Sequence, residues 1–280
     1  MNELQKIELD LFLCFDSICK NLNLKYFLVA GSALGAVRHG GFIPWDDDLD
    51  VGMYREDYDR FMESAPSLLP TGIFLQNYKT DPQYPYVFAK LRNSNTTFVE
   101  KLLSNFSINH GVYIDIFPLD GYPEDILDRK KLSSLKTKYR RKLFCGFKMP
   151  RSLKSKVLAL ILRFFGYHRR TAETLAQYEL LISKYPVKDS KIICSHGNRY
   201  GERDYLNKTY YGNGLNVLFE GIQVRIPEKY DEYLTALYGN WRQLPPPEEQ
   251  KGVHPYIIFD MYKSYTEYEN NLKSRLKKGI

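Results

Sequence analysis

Four carboxylates, Asp46, Asp47, Asp48 and Asp50, crowd into the stretch GSALGAVRHGGFIPWDDDLDVGM that runs from Gly31 to Met53. Like charges this close repel, and a divalent cation is the simplest agent that would make them converge. If the run is extended, side chains alternate, so Asp46, Asp48 and Asp50 share one side and Asp47 takes the other. Oxygen-only donors favour a hard ion, Mg²⁺ or Mn²⁺ in its place, usually held by one or two carboxylates together with substrate phosphates. A further acid, Asp115, lies in VYIDIFPLD between apolar residues, where an unpaired charge is costly to bury. Asp48, Asp50 and Asp115 are therefore candidate metal ligands drawn from neighbouring strands. Gly31 and Ser32 supply the complementary half. Glycine after a buried strand permits close backbone approach, and serine at a helix start offers a hydroxyl and exposed N–H groups to a phosphate. Each half alone has an ordinary reading, helix capping for Gly31-Ser32 and a solvated turn for the aspartates. Their spacing is what joins them into a polyphosphate clamp.

The elements that must carry these residues are legible in the periodicity. Leu4, Ile7, Leu11, Cys14, Phe15 and Ile18 recur every three or four positions and predict an amphipathic first helix ending near Asn21. YFLVA (26–30) reads as a buried strand, ALGAVRH as a short helix, and Gly40, Gly41 and Pro44 as a break. Strand character resumes at Asp48, and EDYDRFMESA reads as a helix. Further strands are expected at IFLQNY (73–78), YVFAKLR (86–92), TFVE (97–100) and GVYIDIF (111–117), making a mixed sheet that PLDGYPED closes off. From about 125 to 185 the pattern turns helical, with Leu153, Val157, Leu160, Ile161, Phe164 and Phe165 in an apolar stripe. GIQVRIP (221–227) reads as a strand and KYDEYLTALYG (229–239) as a helix. The chain is thus expected to be α+β, a mixed sheet flanked by helices with a basic helical elaboration. Residues 1–124 would form a catalytic core, 125–190 the elaboration, and 191–280 a part that packs on the core and completes the site.

Composition narrows the class. With 280 residues, 44% hydrophobic and 15% aromatic, the chain can fill a sizeable core. Neither a signal-peptide pattern nor an apolar run of about 18 to 20 residues is present, so a cytoplasmic location is expected. The cysteines, Cys14, Cys19, Cys145 and Cys194, form no CxxC pair, which argues against a zinc site or a disulfide framework. The net charge of +7 hides an asymmetry: Arg129 to Arg170 carries fifteen Lys and Arg without a single Asp or Glu. A basic helical segment with an apolar stripe fits peripheral contact with an anionic membrane face, and equally a solvated surface over the protein's own core.

The block YFLVAGSALGAVRHGGFIPWDDDLDVGM, followed by HGVYIDIFPLDG (110–121), closely resembles the LicD family of phosphotransferases, related to the fukutin group. A weaker resemblance continues through YLTALYGNWRQLPPPEEQKGVHP (233–255), while the basic middle third is not diagnostic. The resemblance implies a nucleotidyltransferase-like fold that binds nucleotide phosphates and Mg²⁺. It implies transfer of phosphocholine, or a related phospho-alcohol such as glycerol or ribitol phosphate, from a CDP-linked donor to a cell-surface glycan or its lipid-linked precursor. Carried over residue by residue, Gly31 and Ser32 would hold donor phosphates and Asp48, Asp50 and Asp115 the metal; Asp46 matches the motif without a clear role.

The expected chemistry is attack of an acceptor hydroxyl on the distal phosphorus, with CMP leaving. Arg38 is the candidate charge clamp, because a guanidinium suits phosphate oxygens. His254, after a rigid PPP segment, is a candidate phosphate donor, and Lys90 and Arg92 alternate so as to face either nucleotide or solvent. His39 reads as a local hydrogen-bonding residue, Trp45 as a packing anchor, and Asp47 stands outside the chemistry. Aromatic side chains would cage a choline ammonium by cation–π attraction, although the 23 tyrosines single out none. The rival readings are nucleotidyl transfer to a small molecule or RNA with release of pyrophosphate, and a catalytically silent binding protein of the same fold. No RNA-binding module is recognisable, so nucleic acid is not an expected partner.

Overall fold

The computed structural model describes residues 1–104, 106–147, 171–197 and 199–268, with scattered positions between 157 and 164. Helix α1 (Glu3–Asn21) begins in a capping box, in which the Asn2 side chain accepts from the Gln5 backbone N–H and the Gln5 side chain accepts from that of Asn2. Its apolar face buries Leu11, Phe12 and Phe15. There follow β1 (Phe27–Leu28), α2 (Ala30–His39), β2 (Asp50–Tyr54), α3 (Arg55–Ser64), β3 (Ile73–Gln76), β4 (Ala89–Asn93), β5 (Thr97–Glu100) and β6 (Val112–Tyr122). The chain continues through α4 (Ile126–Phe147), α5 (Thr171–Ile182), β7 (Ile192–Cys194), β8 (Leu206–Asn207), β9 (Leu215–Phe219), β10 (Ile222–Ile226), α6 (Tyr230–Tyr238) and β11 (Tyr256–Asp260).

The main sheet runs β1-β2-β6-β4-β3, with β2 parallel to β6 and the other pairs antiparallel. This is the expected mixed sheet with flanking helices. Its central strand, β6, is longer than the sequence pattern indicates. Asp120, Gly121 and Tyr122 do not close a unit, because β7 returns from much later in the chain and pairs with them. Every residue of β6 is buried, so its far half offers no polar alternation by which to read its extent. The strand expected over 26–30 is cut to Phe27–Leu28 because Ala30 takes a left-handed conformation, φ +50°, and opens α2. Gly40, φ +68°, ends that helix in the same left-handed region, which glycine enters without strain.

One core cluster joins Phe12 and Phe15 of α1, the sheet residues Val51, Leu91 and Ile114, and Tyr233, Leu234 and Leu237 of α6. The C-terminal third is thereby built into the same core as the N-terminal helix. A second cluster, including Tyr122, Leu132, Leu175 and Tyr178, packs α4 and α5 on the far end of β6. Between the two, the Arg55 guanidinium meets Asp120 in a fork, Nε to Oδ1 at 2.7 Å and Nη2 to Oδ2 at 2.8 Å.

The helical reading of the middle third holds for α4 and α5. Of the expected stripe, Leu153 and Phe165 lie outside the described residues, whereas Val157, Leu160, Ile161 and Phe164 are helical and exposed. Among the described residues no helix is long and apolar enough to cross a membrane.

Candidate active site

Register places the key groups. Asp50 is the Cα partner of Asp115, and Asp115 is the partner of Lys90, so three adjacent strands present carboxylate, carboxylate and ammonium in one row. Two positions along, the pleat brings Gly52, Phe117 and Phe88 to the same face, with the two rings 4.5 Å apart. On the other side stand Tyr113 and the fully buried Arg92. A charged row thus lies between an aromatic pair on one side and Tyr113 with Arg92 on the other. It forms the floor of a pocket of about 320 Å³ whose walls include Ala30, Asp48, Glu100, Arg199, Tyr200 and His254.

Charge in this pocket is predominantly negative and largely desolvated. Burial carries the Asp50 carboxyl well above the usual carboxylate range, and the charges of Asp48, Asp115 and Asp46 add to it. Asp46 is raised for the same reasons, burial first and Asp48 next. Burial also raises Asp115, against the pull of Lys90, whose Nζ lies 2.8 Å from Asp115 Oδ1 and 3.2 Å from the Tyr113 ring centroid. Asp50 Oδ1 is buried with no hydrogen-bond partner. Clustered oxygen donors, only part of whose charge Lys90 offsets, with an unsatisfied buried atom among them fit a hard divalent cation.

The turns around the site are pinned from behind. Gln5 Nε2 donates to the carbonyls of Ile43 and Asp46, both at 3.1 Å, so α1 holds the acidic loop. Glu8, one turn on, is 1% exposed and raised well above the usual range by burial and then by Asp48, Asp46 and Asp47. At the start of α2 the backbone N–H of Ala30 donates to Tyr233 Oη at 2.9 Å, and that of Val29 to the Asp50 carbonyl at 3.1 Å. These bonds hold a left-handed alanine that costs of order 1–3 kcal/mol.

The expected residues are only partly brought together. Asp48, Asp50, Asp115, Lys90 and His254 all line the pocket. Ser32 and Gly31 stand one layer behind it. The Ser32 hydroxyl accepts the Asp50 backbone N–H at 2.8 Å, and a Cβ at Gly31 would sit 2.8 Å from Asp46 Oδ2. Their visible work is to position the carboxylates. Arg38 is directed elsewhere, its Nη1 donating to the Trp241 carbonyl at 2.8 Å. Trp45 packs edge-on against His39 with centroids 6.2 Å apart, as an anchor would.

Residues 46–49 lie ahead of β2 and are not extended strand, and Asp47, expected to stand outside the chemistry, is not idle. Its carboxylate accepts the backbone N–H groups of Val253 and His254 and the His254 ring at 3.1 Å. His254 Nδ1 is also 3.4 Å from Asp48 Oδ2. Burial works against charge on this ring, but Asp47 and Asp48 outweigh it and raise the imidazole to about 9. Asp47, Asp48 and His254 are compact enough to share a metal ion as well. Sequence reasoning missed Glu8, Glu100 and Arg199. Glu8 left a trace, an acid spaced four residues from both Leu4 and Phe12 on the apolar face of α1, whereas nothing local marks the other two.

A mixed sheet with flanking helices, bearing aspartates on two neighbouring strands, is the α+β architecture of a nucleotidyltransferase-like domain. Residues 23–144 match the LicD/FKTN/FKRP nucleotidyltransferase domain. The chain is 30% identical over 275 residues, 91% of its own length and 96% of the relative's, to the lipopolysaccharide cholinephosphotransferase LicD of Haemophilus influenzae. A 34-residue segment, 12% of this chain and 7% of the relative, is 59% identical to human ribitol 5-phosphate transferase FKRP. An uncharacterized Rickettsia prowazekii protein is 34% identical over 118 residues, 42% of this chain and 40% of that protein. The chain belongs to the LicD family, and it is a phosphotransferase.

Proposed function

We propose that this enzyme transfers phosphocholine from a CDP-linked donor to a hydroxyl of a cell-surface glycan or its lipid-linked precursor, releasing CMP. The observation that carries the reading is the Asp50–Asp115–Lys90 row with an aromatic row beside it in one pocket. The charged row suits a diphosphate with its cation. The Phe88 and Phe117 rings offer a quaternary ammonium its attraction without hydrogen bonds, which a polyol would need. Similarity to a cholinephosphotransferase over nearly the whole chain supports the same cargo.

Asp48, Asp50 and Asp115 would hold a divalent cation, Mg²⁺ or Mn²⁺, which when bound neutralises phosphate charge and stabilises the leaving nucleotide. Lys90 fixes Asp115 in the row, and Ser32 fixes the backbone of Asp50. In the transfer, the acceptor oxygen bonds to the distal phosphorus and the bond to the bridging oxygen breaks. CMP leaves with the electron pair, and the hydroxyl proton passes to a carboxylate of the cluster. For the acceptor, the basic 129–170 stretch and the exposed Val157, Leu160, Ile161 and Phe164 favour a precursor held at an anionic membrane face. Co-sedimentation that ignores vesicle charge would remove that part of the reading.

The test is CMP release from CDP-choline with Mg²⁺. Asp48→Ala and Asp50→Ala should abolish it while leaving the fold intact, and full activity in either sinks the metal assignment. Pyrophosphate release from a nucleoside triphosphate would instead indicate attack at the α phosphorus. Thermal protection by CDP-choline, CDP-ribitol and CDP-glycerol compared in parallel names the cargo.

A further inference from the structure

A diphosphate in this pocket needs a cationic partner beyond the metal ligands, and the residue expected for it, Arg38, is bound to the Trp241 carbonyl. The other cations near the site are also engaged. Lys90 pairs with Asp115 and, at 3.8 Å, with Glu100. Arg92 is fully buried, donating to the Gly111 carbonyl and 3.4 Å from Glu100. His254 is held by Asp47.

Arg199 differs. It lines the same pocket as Asp48 and Asp50, yet among the described residues it has no carboxylate within ion-pair distance. Its guanidinium carbon lies 5.6 Å from the Tyr200 ring centroid, and Tyr200 is fixed by a 2.6 Å hydroxyl contact with Tyr238 at the end of α6. The guanidinium therefore rests on an aromatic pair tied to a packed helix. It is close enough to the acidic cluster to pull against the elevation of Asp46 and Asp50.

Resting on the reading of this site as a CDP-donor pocket, we propose that Arg199 binds the donor diphosphate in the pocket it shares with the carboxylates. A planar guanidinium offers two parallel N–H donors to phosphate oxygens, a geometry that lysine does not reproduce. Arg199 and the carboxylates line the same cavity of about 320 Å³ without an ion pair between them, so the guanidinium is available to phosphate oxygens there. Glu100 and Asp115, which would repel phosphate if bare, are covered by Lys90.

The experiment is calorimetric titration of CDP and of CMP into the full chain with Mg²⁺, for the native protein, Arg199→Gln and Arg199→Lys. Arg199→Gln should weaken CDP at least tenfold, weaken CMP less, and raise the KM for CDP-choline more than it lowers kcat. Arg199→Lys should recover only part of the CDP affinity. A role confined to propping Tyr200 would weaken CDP and CMP equally, and that result overturns the proposal, as does CDP affinity within twofold of native in Arg199→Gln. Failure of the native protein to bind CDP at all would instead overturn the donor reading and take this proposal with it.

Discussion

Asp47 fastens His254 across 207 residues of chain, accepting both its backbone N–H at 2.9 Å and its ring Nδ1 at 3.1 Å. The acidic loop is therefore double-sided. Asp48 faces the pocket, and Asp47 moors the returning C-terminal segment that forms its wall.

Asp47→Ala should accordingly lower activity although Asp47 does not line the pocket. Charge-assisted bonds of this kind are worth about 1.5–3 kcal/mol each, so the 252–254 segment should detach. Limited proteolysis would then cut between α6 and β11, while the melting temperature falls modestly. Unchanged activity and unchanged cleavage would show that the mooring is dispensable.

Asp50→Asn should separate function from stability. The carboxyl is buried among like charges, so removing its charge relieves repulsion. CMP release should drop by about a thousandfold, as for loss of a principal electrostatic contact in an active site. The metal-free protein should melt no lower than native, and protection by Mg²⁺ should shrink. A variant that melts well below native without metal would contradict the repulsive cluster.

Ser32→Ala removes the hydroxyl that accepts the Asp50 N–H and leaves that buried donor unsatisfied, at a cost of about 1–3 kcal/mol. Urea denaturation measures the loss. Activity should fall further than stability alone explains, because the Asp50 backbone shifts. If Ser32 instead contacts donor phosphate, the loss appears mainly in CDP affinity.

Arg55→Met strips the partner from Asp120, a fully buried carboxylate, and should destabilise by about 3–5 kcal/mol. The double variant Arg55→Met/Asp120→Leu should recover much of that loss, as calorimetric melting would show. No recovery would mean that the pair also organises Glu179, which Arg55 Nη1 meets at 3.0 Å.

Stability should also fall in acid through His196. Burial, with Lys136 and Arg55 nearby, pushes this imidazole down to about 3 from an ordinary 6.5. The unfolded chain thus binds a proton that the folded chain refuses. Its contribution is complete above pH 6.5 and is lost as pH falls toward 3, by about 2 to 3 kcal/mol at pH 4.5. His196→Gln should flatten that part of the urea-stability profile between pH 7 and 4.5. An unchanged slope would overturn the assignment, because the carboxyls that burial raises, such as Asp50 and Asp120, bind protons in the folded state and act in the opposite direction.

What the sequence determined by itself was whatever is encoded locally. Spacing of apolar residues set α1, glycine and proline set the break at 40–44, and the Asp48-x-Asp50 pair with Asp115 between apolar neighbours marked the charged centre. Those signals are legible because helix period, turn conformation and the cost of burying a charge act within a few residues. Only the tertiary structure decided what depends on distant chain. The β2–β6–β4 register put Asp50, Asp115 and Lys90 in one row, β7 extended β6 past Leu119, and Asp47 was turned into the mooring for His254. Arg38 and Arg199 make the reason plain. Arg38, inside the glycine-rich block, had the sequence credentials and Arg199 had none, yet packing committed the first to the Trp241 carbonyl and left the second lining the pocket.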